Sequence, residues 1–270
     1  MSCFPLLDLP VDILRYHVFS TKVLDDCSLG ISRLVCRKLY KLTPKPQTAI
    51  AIDAAKHGYL SVLKWIFNCN FLVQIELITE MAIKYNHLEV IKWLYINYGN
   101  RFTIMDNCCI YGNLEILQWL HSIDKFKKPY YDSEKNYWLC VAKNGHLHIL
   151  QWISTLWNVL DKNLMIAAVK GNQMEVLKWG LKKNRSVFNA DIYNAAALCG
   201  NIGILKWLRE NKIRWNEEVC NSAIMRGHLD TLIWCRENGA PWNIDWATYR
   251  ARVYGHTHIT NWIAANMIAE

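Results

Sequence analysis

Two His-x-His pairs, His146/His148 and His256/His258, have a spacing that could hold a metal ion. Imidazole is a common ligand, but a complete site needs three or four donors. In each pair the first histidine follows a glycine, and His87 and His228 stand at the same place in related phrases, after Asn86 and Gly227. A residue type that recurs at one place in a repeated phrase reads as a helix-start residue, and the ligand reading stands beside it. Adjacent Cys108 and Cys109 fall where related phrases carry Ala-Ala, which reads as tight packing. None of the ten cysteines are spaced C-x-x-C. That implies reduced, buried thiols in a cytosol-like compartment, and neither a disulfide framework nor a zinc site. The signatures G-x-S-x-G, H-E-x-x-H, G-x-G-x-x-G and G-x-x-x-x-G-K-[ST] do not occur. No reaction and no cofactor are expected.

Thirteen tryptophans could in principle stack bases, which requires them to face solvent. Eight of them, Trp65, Trp93, Trp119, Trp152, Trp179, Trp207, Trp234 and Trp262, close one phrase, as in Asn86-His-Leu-Glu-Val-Ile-Lys-Trp93. Their spacings are 28, 26, 33, 27, 28, 27 and 28 residues. A fixed period of this length marks a solenoid, in which each unit buries its apolar face only against its neighbours. Placed at helical spacing among Leu, Val and Ile, these tryptophans read as core.

Each phrase divides at a Gly or Asn, the residue types that tolerate the left-handed backbone closing a helix. The fourth residue before it is small in nearly every copy: Ala54, Ala82, Cys108, Val141, Ala168, Ala196, Ala223 and Ala251. Small side chains there imply that two helix backbones approach closely. Eight before stand Ile50, Ile78, Ile104, Tyr137, Leu164, Ile192, Val219 and Ala247, on the same helical face. The unit is therefore helix, tight turn, helix, and the fold class is all-α.

As a set, the phrases resemble the ankyrin repeat over roughly residues 48–266. The Thr-Pro-Leu-His opening of a typical ankyrin unit is missing and the period is near 28 instead of 33. Short linkers are therefore expected where ankyrin hairpins project. The short period, the tryptophan and the phrase Gly-His-Leu-Glu look most like the ankyrin arrays of large DNA viruses that infect amoebae. The resemblance implies an ankyrin-like solenoid of about eight short helix-turn-helix repeats over residues 48–270. The one long spacing holds Asp124-Lys-Phe-Lys-Lys-Pro-Tyr-Tyr131, expected to be a surface loop.

Residues 1–47 do not follow the repeat. Helical stripes run through Ile13, Leu14 and Val18 and through Ile31, Leu34, Val35 and Leu39, and Pro44 and Pro46 mark a boundary. The opening Leu9-Pro10-Val-Asp-Ile13-Leu14 and the ending Val35-Cys36-Arg-Lys-Leu-Tyr40 resemble an F-box. His17, where a second Ile is common, and a longer middle depart from that pattern. The resemblance implies that Leu9, Pro10, Ile13, Leu14, Leu34, Val35 and Cys36 contact a Skp-type adaptor of a cullin-RING ubiquitin ligase. The other reading is a helical cap over the first repeat, leaving a scaffold or decoy.

What remains for function is a binding surface. By analogy with ankyrin proteins, partner contacts come from the two residues before each unit's Gly or Asn. Lys56, Lys84, Tyr85, Tyr111, Lys143, Lys170, Met225, Arg226 and Tyr254 are the candidates for holding a target protein. This mixed basic and aromatic strip suits an acidic segment; lysines that only keep the array soluble are the alternative. The chain has 270 residues, 52% hydrophobic, with a net charge of +8. Its 23 acidic residues are interspersed with the basic ones, which disfavours nucleic acid. No long apolar window predicts a membrane span, and the first ten residues lack a basic start. The expectation is a monomer in the cytoplasm, the host cytoplasm if the source is viral.

Overall fold

The computed structural model describes residues 47–68, 73–99, 104–123 and 137–266. The F-box-like segment with Leu9, Pro10, Ile13, Leu14, Leu34, Val35 and Cys36, the Pro44/Pro46 boundary and the 124–131 insertion lie outside them. The chain divides into two compact bodies between Lys127 and Lys128. The N-terminal body contains α1 (Gln47–Lys56), α2 (Leu60–Asn68), α3 (Ile75–Lys84), α4 (Leu88–Tyr98), α5 (Ile104–Tyr111) and α6 (Leu114–Ser122). The C-terminal body contains α7 (Tyr137–Lys143), α8 (Leu147–Leu156), α9 (Lys162–Lys170), α10 (Met174–Lys183) and α11 (Ala190–Leu198). It continues with α12 (Ile202–Glu210), α13 (Glu218–Met225), α14 (Leu229–Glu237), α15 (Ile244–Val253) and α16 (Thr257–Asn266). There is no strand among the described residues, and linkers such as 157–161 and 238–243 replace any hairpin.

Odd-numbered helices open each unit and even-numbered helices close it. Within each body, an opening helix packs on the next opening helix and on its own closing helix. The turn between the two is the same in all eight units. Its Gly or Asn has φ between 56° and 83°. The amide after it donates to the carbonyl of the small residue, as in His87 N–H to Ala82 O at 2.8 Å and Asn201 N–H to Ala196 O at 2.9 Å. This is the Schellman closure, which satisfies a carbonyl that the helix end leaves open. The small residues themselves, from Ala54 to Ala251, are fully buried.

The closing helices correct one expectation. Trp93, Trp119, Trp152, Trp179, Trp207, Trp234 and Trp262 are half-buried and are not the core. The buried positions lie three and two before the tryptophan and one after it, as in Ile204, Leu205 and Leu208 around Trp207. At about 100° per residue those three positions share a face whose centre is roughly a quarter-turn from the tryptophan. Each buried Leu or Ile contributes about 2 kcal/mol. The indoles instead lie along the flank, where linker rings meet them: Phe188 on Trp207, Trp215 on Trp234 and Trp242 on Trp262, with centroids 6.0, 6.1 and 6.3 Å apart. Phe188, Trp215 and Trp242 are themselves 27 residues apart, a second aromatic period. The guanidinium groups of Arg209 and Arg236 lie over the rings of Trp215 and Trp242 at 4.4 and 4.5 Å.

Candidate functional site

The turn geometry decides which side chains the opening helices present. The two residues before the Gly or Asn end each opening helix, and their side chains point away from the packed faces. Lys56, Lys84, Tyr85, Lys143, Lys170, Met225, Arg226 and Tyr254 are exposed, and Tyr111 is half-buried. In the N-terminal body these residues form a ladder between units. Lys56 Nζ lies 5.7 Å from the Tyr85 ring centre and Lys84 Nζ lies 5.9 Å from that of Tyr111. A cation over an aromatic face is drawn by the ring quadrupole. Tyr111 Oη also donates to Glu80 Oε1 at 2.8 Å, and that carboxylate holds the phenol above its ordinary pKa. In the C-terminal body Lys143 and Lys170 have no such ring among the described residues, while Tyr254 packs near His256 at 6.4 Å. None of the four lysines belongs to an ion pair among the described residues.

The carbonyls of these same residues lock one unit to the next. His87 Nε2 donates to Lys56 O at 2.8 Å, His228 Nε2 to Leu198 O at 3.2 Å and His256 Nε2 to Met225 O at 3.3 Å. Gln173 Nε2 does the same to Lys143 O at 3.2 Å. The imidazole takes the space beside the preceding turn: a Cβ on Gly58 would lie 2.5 Å from His87 Nδ1, and one on Gly200 would lie 2.9 Å from His228 Nδ1. Where the turn residue is Asn the next unit answers with Asn. Asn113 Nδ2 donates to Asn86 Oδ1 at 3.1 Å and Asn201 Nδ2 to Asn172 Oδ1 at 2.6 Å. Sequence reasoning recognised the histidine as a helix-start residue. It missed this reciprocal pairing of turn residue and following side chain, although both letters recur in the sequence.

The candidates for chemistry resolve in the same terms. His256 and His258 sit 5.8 Å apart, and His258 Nε2 donates to Gly227 O at 3.0 Å, so both rings are engaged with the preceding turn. His146 and His148 form an edge contact at 6.0 Å. Among the described residues no group of three His, Cys, Asp or Glu could hold a metal ion. Cys108 and Cys109 are fully buried, and burial pushes the Cys108 thiol well up.

Comparison with known proteins agrees with this geometry. The family described as ankyrin repeats (many copies) matches residues 80–121, which span α3 to α6. The fold is an ankyrin-like repeat array. An ankyrin repeat protein of Acanthamoeba polyphaga mimivirus is similar at 24% identity over 223 residues, 73% of this chain and 51% of that protein. The chain thus spans about half the length of the relative it matches. The ankyrin-like array points to a protein–protein interaction scaffold, and no helix among the described residues is long and apolar enough to cross a membrane.

Proposed function

We propose that the chain is a protein–protein interaction adaptor and a substrate receptor. Its array holds a target protein along the ends of the opening helices. Its N-terminal F-box-like segment links that target to a Skp-type adaptor of a cullin-RING ubiquitin ligase. The observation that carries target binding is the ladder of exposed Lys56, Tyr85 and Lys84 with half-buried Tyr111, whose ammonium groups form no ion pair among the described residues. An acidic, extended segment suits this strip, because each lysine offers charge beside an aromatic surface. The ligase link rests on the resemblance of Leu9 to Leu14 and Val35 to Tyr40 to an F-box. The mechanism is proximity: the array raises the effective concentration of target lysines near the transfer machinery, and this chain makes or breaks no bond.

Affinity capture from an amoebal lysate with the full chain, read by mass spectrometry, tests both halves. Leu9→Ala/Pro10→Ala should lose the Skp-type adaptor and keep the target. Lys56→Glu/Lys84→Glu should lose the target by tenfold or more and keep the adaptor. A wild-type chain that recovers no Skp-type adaptor or cullin removes the ligase reading. A Leu9→Ala/Pro10→Ala chain that melts earlier supports the cap instead.

A further inference from the structure

The last two opening helices carry a surface of different chemistry. On α15, Trp246, Tyr249 and Val253 are 46%, 56% and 61% exposed, and their spacing puts them on one face. The same register holds Asp191 and Asn194 in α11 and Glu218 and Asn221 in α13, so the aromatic pair is particular to α15. The two rings stack with centroids 5.3 Å apart and planes 18° from parallel. They form one wall of an open depression of about 530 Å³ whose other lining residues are Glu217, Glu218, Asn243 and Asp245. Three carboxylates and two exposed rings therefore share one hollow between α13 and α15.

We propose that this hollow binds a lysine or arginine side chain on a basic segment of a partner protein. The chain already shows the chemistry internally: the Arg250 guanidinium lies 5.1 Å over Trp246 and 3.6 Å from Glu218. Glu217 and Asp245 have no ion pair among the described residues, so Arg250 leaves two of the three carboxylates uncompensated. An aromatic face beside carboxylates holds a cation better than either alone, since the ring attracts the charge without demanding its full desolvation. The hollow belongs to the C-terminal body and Lys56 and Lys84 to the N-terminal one, and its argument uses neither lysine.

Fluorescence anisotropy of labelled Gly-Arg-Gly-Arg-Gly-Arg, with its lysine and glutamate counterparts, against the full chain tests the site. The arginine or the lysine peptide should bind, with affinity falling as salt rises, and the stronger of the two names the preferred cation. The glutamate peptide should not compete. Trp246→Ala/Tyr249→Ala and, separately, Glu217→Gln/Asp245→Asn should each weaken binding at least tenfold. Lys182→Ala, exposed on α10, should leave it unchanged. Unchanged circular dichroism melts would show that the variants fold. Equal affinity in both double variants, or competition by the glutamate peptide, overturns the proposal. So does a wild-type dimer in sedimentation velocity that Trp246→Ala/Tyr249→Ala disperses, since a second copy would then occupy the face.

Discussion

At the scale of single residues, Tyr193 on α11 stands out. It is fully buried against Trp215 at 5.3 Å, and its hydroxyl has no hydrogen-bond partner among the described residues. A buried polar group without a partner costs about 1–3 kcal/mol. Burial also pushes the phenol up to about 12. The unfolded chain releases this proton near pH 10 and the folded one near 12, so the stability contribution is complete below pH 10. It is lost as pH rises from about 10 to about 12, by on the order of 2 kcal/mol. Tyr193→Phe should therefore keep or raise the melting temperature at pH 7. Between pH 10 and 12 it should lose less stability than the wild type. Urea titrations at pH 7, 10 and 11.5 measure both effects. A variant that loses more than about 1 kcal/mol at pH 7 would mean that the hydroxyl has a partner.

At the scale of elements, the repeating joint is a turn residue and the side chain that follows the next turn. Two solutions occur: glycine with His or Gln, and Asn with Asn. Gly200→Asn alone keeps a residue type that accepts φ of +67° but drives its Cβ to within 2.9 Å of the His228 ring. It should cost about 1–3 kcal/mol, as overpacking does. His228→Asn alone forfeits the bond to Leu198 O and should cost about 1 kcal/mol. The double variant recreates the Asn172–Asn201 pair and should recover about 1 kcal/mol or more of the summed cost. Denaturation midpoints of the four proteins give the coupling, and strict additivity would show that the joint is not reciprocal. The helix starts and the Gly or Asn turns were legible along the chain, because capping is local. The pairing was not, because its partners are 27 to 31 residues apart and only stacking brings them together.

At the scale of the molecule, contacts run mainly between neighbouring helices, so stability in each body is a sum of units and joints. Ala196, fully buried on α11, faces the adjoining opening helices. Ala196→Leu should cost about 1–3 kcal/mol through overpacking. Hydrogen exchange followed by mass spectrometry should show the largest loss of protection in α9, α11 and α13, and the smallest in α7 within the same body. Uniform loss from α7 to α16 would mean that this body opens as one cooperative block.

The amino-acid sequence alone determined the all-α repeat, its period, the place of every turn and the small residue in each opening helix. That small residue stands in the last turn of its helix, and all of these features depend on backbone conformation and helical spacing within about thirty residues. The ends of the opening helices were also legible as the exposed strip, because two residues before a Schellman turn must lie on the last turn of a helix. Tertiary structure alone decided the rest. The tryptophans moved from the expected core to the flank, because a helix apolar over so wide an arc has several faces it could bury. Packing against the neighbouring unit selects the one centred on Ile204, Leu205 and Leu208 around Trp207. The hollow beside Trp246 came from the same cause: Glu217, Asp245 and Tyr249 belong to two units, and only the stacking of α15 on α13 makes them one surface.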